Sequence, residues 1–176
     1  HVARLLRWER YAADVAGRLP RFDLTWAVEE LHPGHRRALE AVSREVRPLE
    51  LRDPPAPAPA PVAAPYVLVV HAGSDEETLD LVECARELLS ASPGGARILL
   101  ASPARPAALP DDVGWLDVHP ASGLFAGAER VVGAAGFNLV RQTAPFPRKR
   151  FLVPFPRRFD DPFTRAARAN RCNFPT

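Results

Sequence analysis

Hydrophobic and polar positions alternate along this chain in two different rhythms, and the change between them organises the reading. Residues 66–71, YVLVVH, form an unbroken apolar run, the pattern of a strand covered on both faces. Ser74 with Glu77 three positions later is a capping box. It opens a helix predicted to reach about Ser90, with Leu79, Val82, Ala85, Leu88 and Leu89 turned inward. Further strands are predicted at 97–101, 112–118, 130–135 and 150–155. Short helices are predicted at 122–128 and 138–143. Asp161 followed by Pro162 reads as a helix cap and first position, for a helix to about Asn170. Strands and helices alternating at this spacing predict a Rossmann-like α/β domain, a parallel sheet with helices on both faces.

The front of the chain is less regular. Residues 2–18 read as a helix, 25–28 as a short strand, 33–46 as a second helix and 47–51 as a second strand. That is too little to bury a core alone, so 1–52 is expected to be a remnant of an N-terminal α/β domain. Between the two parts lies DPPAPAPAPVAAP, residues 53–65. Its Pro-Ala alternation favours polyproline II and marks an interdomain linker. The domain built on 66–170 follows it, and 171–176 is left as a tail. The chain has no methionine and its ending lacks closure, which suggests a fragment.

Composition narrows the function classes. The 23 basic and 21 acidic residues leave a net charge of +2, too balanced for a nucleic-acid footprint. No apolar run reaches the ~18 residues of a membrane helix, and the start lacks a signal peptide's apolar core. Cys84 falls in a helical apolar pattern and Cys172 in the tail. Two isolated cysteines form neither a disulfide framework nor a zinc site, and a reducing cytoplasm is the expected compartment. His32 and His35 flank a Pro-Gly helix start without a third ligand, and no metal is expected.

In open α/β sheets, ligands bind beyond the carboxyl ends of the strands, so three loops are candidates. The first holds His71, Gly73 and Ser74; a capped turn is the plain alternative, because Asp75, Glu76 and Glu77 already complement the helix dipole. The second, GAAGFN at 133–138, has small residues and no acid behind it, and is the better phosphate cradle. Close strand–helix packing is its alternative. In the third, Arg157 and Arg158 beside Asp160 and Asp161 could hold an anion and sugar hydroxyls. His71 and His119, each after a strand, could line the same crevice.

From Trp115 onward, VVGAAGFN, LVRQT, FLVPF and RRFDDPF follow in an order that resembles the C-terminal half of GT-B glycosyltransferases. The nearest pattern is the MurG-like group, the N-acetylglucosaminyl transferases of peptidoglycan synthesis (glycosyltransferase family 28-like). The resemblance covers 66 to about 170. It implies a nucleotide diphosphate-sugar donor, a UDP-sugar in the first instance, as substrate, with no separate cofactor. On that resemblance, Val118 and His119 border the base. Gly136, Phe137 and Asn138 cradle the diphosphate, and Gly73 and Ser74 match a family loop richer in glycine. Gln142 stands where the family has a ribose-binding Glu; an amide still bonds a hydroxyl, but without charge. Asp160 and Asp161 fall at the sugar, and Arg157 or Arg158 would stabilise the departing diphosphate.

The acceptor site and catalytic base of such enzymes lie mostly on the N-terminal domain. The expectation is therefore a transferase half that binds donor with little turnover, its acceptor unspecified. The resemblance is compatible with peripheral membrane association of the full-length protein. Two other readings stand beside it. One is a nucleotide-sugar epimerase or hydrolase of the same fold; the other is a non-catalytic interaction module using the Pro-Ala segment and the arginines.

Overall fold

The computed structural model describes residues 1–15, 18–53, 62–63, 65–91 and 94–171. The chain forms two compact units, His1–Pro54 with Pro156–Asp161, and Pro55–Phe155 with Pro162–Thr176. Most of the Pro-Ala segment (54–61 and 64) and the tail with Cys172 lie outside the described residues.

The first unit is a three-stranded parallel sheet, β1 (Val2–Ala3), β2 (Thr25–Ala27) and β3 (Val46–Pro48), in that order. The connections carry α1 (Trp8–Val15) and α2 (Pro33–Val42). The single helix expected over 2–18 is therefore wrong at its start. Ala3 and Leu5 are buried while Val2, Arg4 and Arg7 are exposed, an alternation of period two that belongs to a strand and its exit. The second helix ends at Val42 rather than Val46, since Ser43 is extended and β-branched Val46 pairs with Thr25. The strand expected at 47–51 sits at Val46–Pro48. Ala3, Ala27, Leu31 and Leu39 make the small core.

The chain returns to this unit at 156–161, after the last strand of the second unit. Leu6 and Asp160 form an antiparallel bridge, the Arg7 amide donates to the Phe159 carbonyl at 2.7 Å, and Tyr11 meets Phe159 edge-on. His35 is 2% exposed and stacks on Trp8 at 5.0 Å. Among the described residues its Nδ1 has no hydrogen-bond partner. Burial, helped by nearby His32, holds its pKa below the ordinary value. Below about pH 6.5 the unfolded chain therefore takes up a proton that the folded unit resists, so stability should fall with pH. Urea midpoints at neutral and mildly acidic pH test this. The acid loss should shrink in His35→Leu, and an identical loss in that variant would assign the effect elsewhere.

The second unit is a five-stranded, all-parallel sheet. Its strands are β4 (Tyr66–Val70), β5 (Arg97–Ala101), β6 (Val113–Leu116), β7 (Arg130–Ala134) and β8 (Arg150–Val153), ordered β6-β5-β4-β7-β8. This is an α/β arrangement compatible with a Rossmann-like fold. Pleating sends Val67 and Val69 of β4 to one face. There they pack with Leu81, Val82 and Ala85 of α3 (Asp75–Ser90). Tyr66 and Leu68 pack on the other face with Leu124, Phe125 and Ala128.

Leu81 is fully buried, whereas Leu79, Leu88 and Leu89, expected inward, are only half-buried. The helix expected over 122–128 is a 3-10 turn at Ala121–Leu124. Two short helices complete the unit: α4 (Phe137–Gln142), and α5 (Pro162–Arg171), which packs against it around Ala135, Leu152, Ala166 and Ala169. Cys84 is half-buried against the core, and burial raises its thiol pKa.

Candidate functional site

β5 lies on one side of β4 and β7 on the other, so the strand order reverses between β4 and β7. Loops leaving the carboxyl ends of such a pair diverge and leave a crevice. Here it is a cleft of about 430 Å³, built from second-unit residues alone. Val70, His71 and Ala72 leave β4, Ala101 and Ser102 leave β5, and 117–121 leave β6. Asn138, Leu139 and Gln142 line it from α4, and Phe125 closes the apolar wall.

The cleft's polar groups differ in what they are free to do. Ser102 Oγ donates to the Ala104 carbonyl at 2.7 Å and accepts from Trp115 Nε1 at 3.1 Å, so it works as a loop clamp. Asn138 and Gln142 are four apart on α4, share a face and both line the cleft. His119 is exposed, joined to Pro120 by a cis peptide bond, and Val118 beside it is half-buried. His71 is buried, its Nε2 3.0 Å from Glu77 Oε2, with the Phe155 ring 5.9 Å away.

The first loop is more committed to its own structure than its sequence suggests. Ser74 caps α3, its hydroxyl accepting from the Glu77 amide at 3.3 Å. A Cβ on Gly73 would stand 2.3 Å from His71 Nε2 and 2.8 Å from Glu77 Oε2, so this position is small because the His–Glu pair lies against it. Neither Gly73 nor Ser74 lines the cleft. Glu77, expected to serve the helix dipole, also meets His71 through its carboxylate.

The second loop divides in the same way. A Cβ on Gly133 would meet Leu139 and the Val70 carbonyl, and Ala135 is fully buried. Their smallness serves packing. At Gly136 a Cβ would meet nothing closer than 4.0 Å, so the open part of the turn begins there. Gly136 precedes α4 as its cap residue, Phe137 is half-buried under the Arg141 guanidinium, and Asn138 faces the cleft.

Arg165 of α5, for which the sequence pattern suggested only a helical position, is 4% exposed and donates to the Ala135 carbonyl at 3.1 Å. It places a buried cation against this turn. The first arginine of the helix, four positions after Asp161 and ahead of two alanines, was the available signal.

The third loop goes elsewhere. Residues 156–161 belong to the first unit, and none of Arg157, Arg158, Asp160 or Asp161 lines the cleft. Arg158 pairs with Asp14 at 2.5 Å and lies 4.7 Å from the Phe159 ring. The Arg157 carbonyl accepts from Arg7, Asp160 bridges to Leu6, and Asp161 directly precedes α5.

Among the described residues no three His, Cys, Asp or Glu side chains gather as a metal site, and no helix is long and apolar enough to cross a membrane. No family model, curated protein or solved structure matches the chain.

Proposed function

We propose that the second unit is the donor-binding half of a GT-B-type glycosyltransferase, taking a nucleotide diphosphate-sugar, a UDP-sugar in the first instance. The observation that carries this is the cleft where the order of a fully parallel sheet reverses, with Asn138 and Gln142 lining one wall. Its volume falls within the range of about 300–1,000 Å³ common to small-molecule sites. Phe125 and Leu139 supply apolar contact, His119 and Val118 border a base, and Asn138 and Gln142 bond hydroxyls. Transfer would break the anomeric carbon–phosphate oxygen bond and form one to an acceptor hydroxyl. The hydroxyl proton would pass to a base outside this unit.

Melting curves with UDP, UDP-sugars and TDP test the reading. A ligand bound only by the folded state stabilises it by about 2.7 kcal/mol at a hundredfold excess over Kd. UDP-bearing ligands should raise the melting point. Asn138→Ala and Gln142→Ala should each weaken binding by up to about tenfold while sparing the unliganded protein. No shift with any nucleotide, or an undiminished shift in the double variant, would overturn it.

A further inference from the structure

The walls of the cleft carry a charge pattern that bears on its ligand. Among the described residues, Asp117 is the one acidic residue that lines it, and no Lys or Arg does. Asp117 directly follows Leu116, where the chain leaves the carboxyl end of β6. Leu116 before it and Val118 after it pack on the cluster around Phe125, which fixes its place beside the apolar wall. Asp117 is exposed, and among the described residues its carboxylate has no hydrogen bond or ion pair.

The other polar groups leave the direction of a hydrogen bond open. Ser102 is held by Ala104 and Trp115, and His71 meets Glu77. Asn138 and Gln142 each offer a donor and an acceptor, and the His119 imidazole can serve either way. A carboxylate only accepts. The ligand edge that meets Asp117 must therefore donate, and an anionic group placed there would be repelled. A diphosphate thus belongs away from this end of the cleft. Asp117 leaves β6, whereas α4 with Asn138 and Gln142 follows β7. Those strands are three spacings apart, about 14 Å, which leaves room for a base and its ribose between the two walls.

We infer that Asp117 selects the base of the nucleotide: its carboxylate accepts the ring N–H of the base, the N3–H in the case of uracil. The inference rests on the donor-binding reading above and adds the residue that sets the polarity of base recognition. Phe125, Val118 and Leu139 offer apolar surface to the base, and Asn138 and Gln142, on the other wall, meet the ribose hydroxyls. With no cation lining the cleft, binding here is carried by the nucleoside part of the ligand.

Calorimetric titration of the full chain with UDP, N3-methyl-UDP and 2′-deoxy-UDP tests this. The unsubstituted chain should bind N3-methyl-UDP at least about tenfold more weakly than UDP, the usual worth of a hydrogen bond to a charged group. Asp117→Ala, at an exposed side chain, should melt like the parent. It should bind UDP about tenfold more weakly and take N3-methyl-UDP as well as UDP. Asp117→Asn keeps a carbonyl acceptor and should restore most of the affinity for UDP and most of the discrimination. Equal affinity of the unsubstituted chain for UDP and N3-methyl-UDP would overturn the inference, with no variant needed. So would undiminished UDP binding by Asp117→Ala, or the same discrimination against N3-methyl-UDP in that variant as in the parent. A loss on Asp117→Ala that vanishes for 2′-deoxy-UDP instead would put the ribose at Asp117 and also overturn it. In each of these cases the parent still binds UDP, so the donor-binding reading stands. A parent that binds no uracil nucleotide would overturn both.

Discussion

Replacing Phe125 with Ala should cost the second unit about 3–5 kcal/mol, the usual range for emptying an aromatic site in a core. The ring is 1% exposed and meets Phe146 edge-on at 6.5 Å. It packs in the cluster that covers Tyr66, Leu68 and Val131 on one face of the sheet. The space left has little prospect of closing, because the flanking segment is pinned. The Tyr66 hydroxyl donates to the Leu124 carbonyl at 2.7 Å, and the Ala128 amide to that same carbonyl. Phe125 also forms the apolar wall of the cleft, so truncation should enlarge the cleft as well as weaken the fold. Urea unfolding would show a lowered midpoint, and nucleotide-induced stabilisation should fall in parallel. A midpoint shift of less than about 1 kcal/mol would mean that this face of the sheet is not a close-packed core.

The second unit was legible because its signals are local and agree with one another. YVLVV has the apolar continuity of a strand covered on both sides, and Ser74 and Glu77 set the start of α3 where the structure has it. Arg97–Ala101 and Arg130–Ala134 also fall where the pattern places them. Ambiguity entered where two periods fit one short stretch. Residues 2–7 alternate like a strand yet contain good helix formers, and nothing local decides between them. Pairing of Val2 with Trp26, a contact across 24 residues, decides it.

The site was legible by position and opaque in its details. Knowing that strands alternate with helices is enough to look at the carboxyl edge, and His71, Val118, His119, Asn138 and Gln142 do meet around one cleft there. Sequence could not say that Gly73 is small for the sake of a His–Glu pair, because residues 71 and 77 meet only when the chain turns into α3. Nor could it assign the arginines at 157 and 158. They follow the last strand, where ligand loops belong, but the chain there joins the β1–β3 unit and spends Arg158 on Asp14. A loop's place in the strand order says where it starts, while its tertiary partners decide where its side chains go.

Gly133 supplies the sharpest test of how that edge is built. It pairs with Val70 across β4 and β7, at the strand junction from which the cleft opens. A Cβ there would stand 2.4 Å from Leu139 Cδ2 and 2.6 Å from the Val70 carbonyl oxygen. The leucine tip could rotate away, but the carbonyl is fixed in the β4–β7 ladder. Gly133→Ala must therefore either push the two central strands apart or tilt the peptide out of register. Overpacking of this kind costs about 1–3 kcal/mol, and the backbone partner puts this case at the upper end. Displacing Leu139 would also shift α4, and with it Asn138 and Gln142. The variant should thus lose nucleotide binding beyond what its lower midpoint explains. Gly136→Ala, at an open position with φ −74°, should change stability by less than about 0.5 kcal/mol. If the two substitutions proved equally mild, the close approach of β4 and β7 at this point would be wrong, and with it the geometry that opens the cleft.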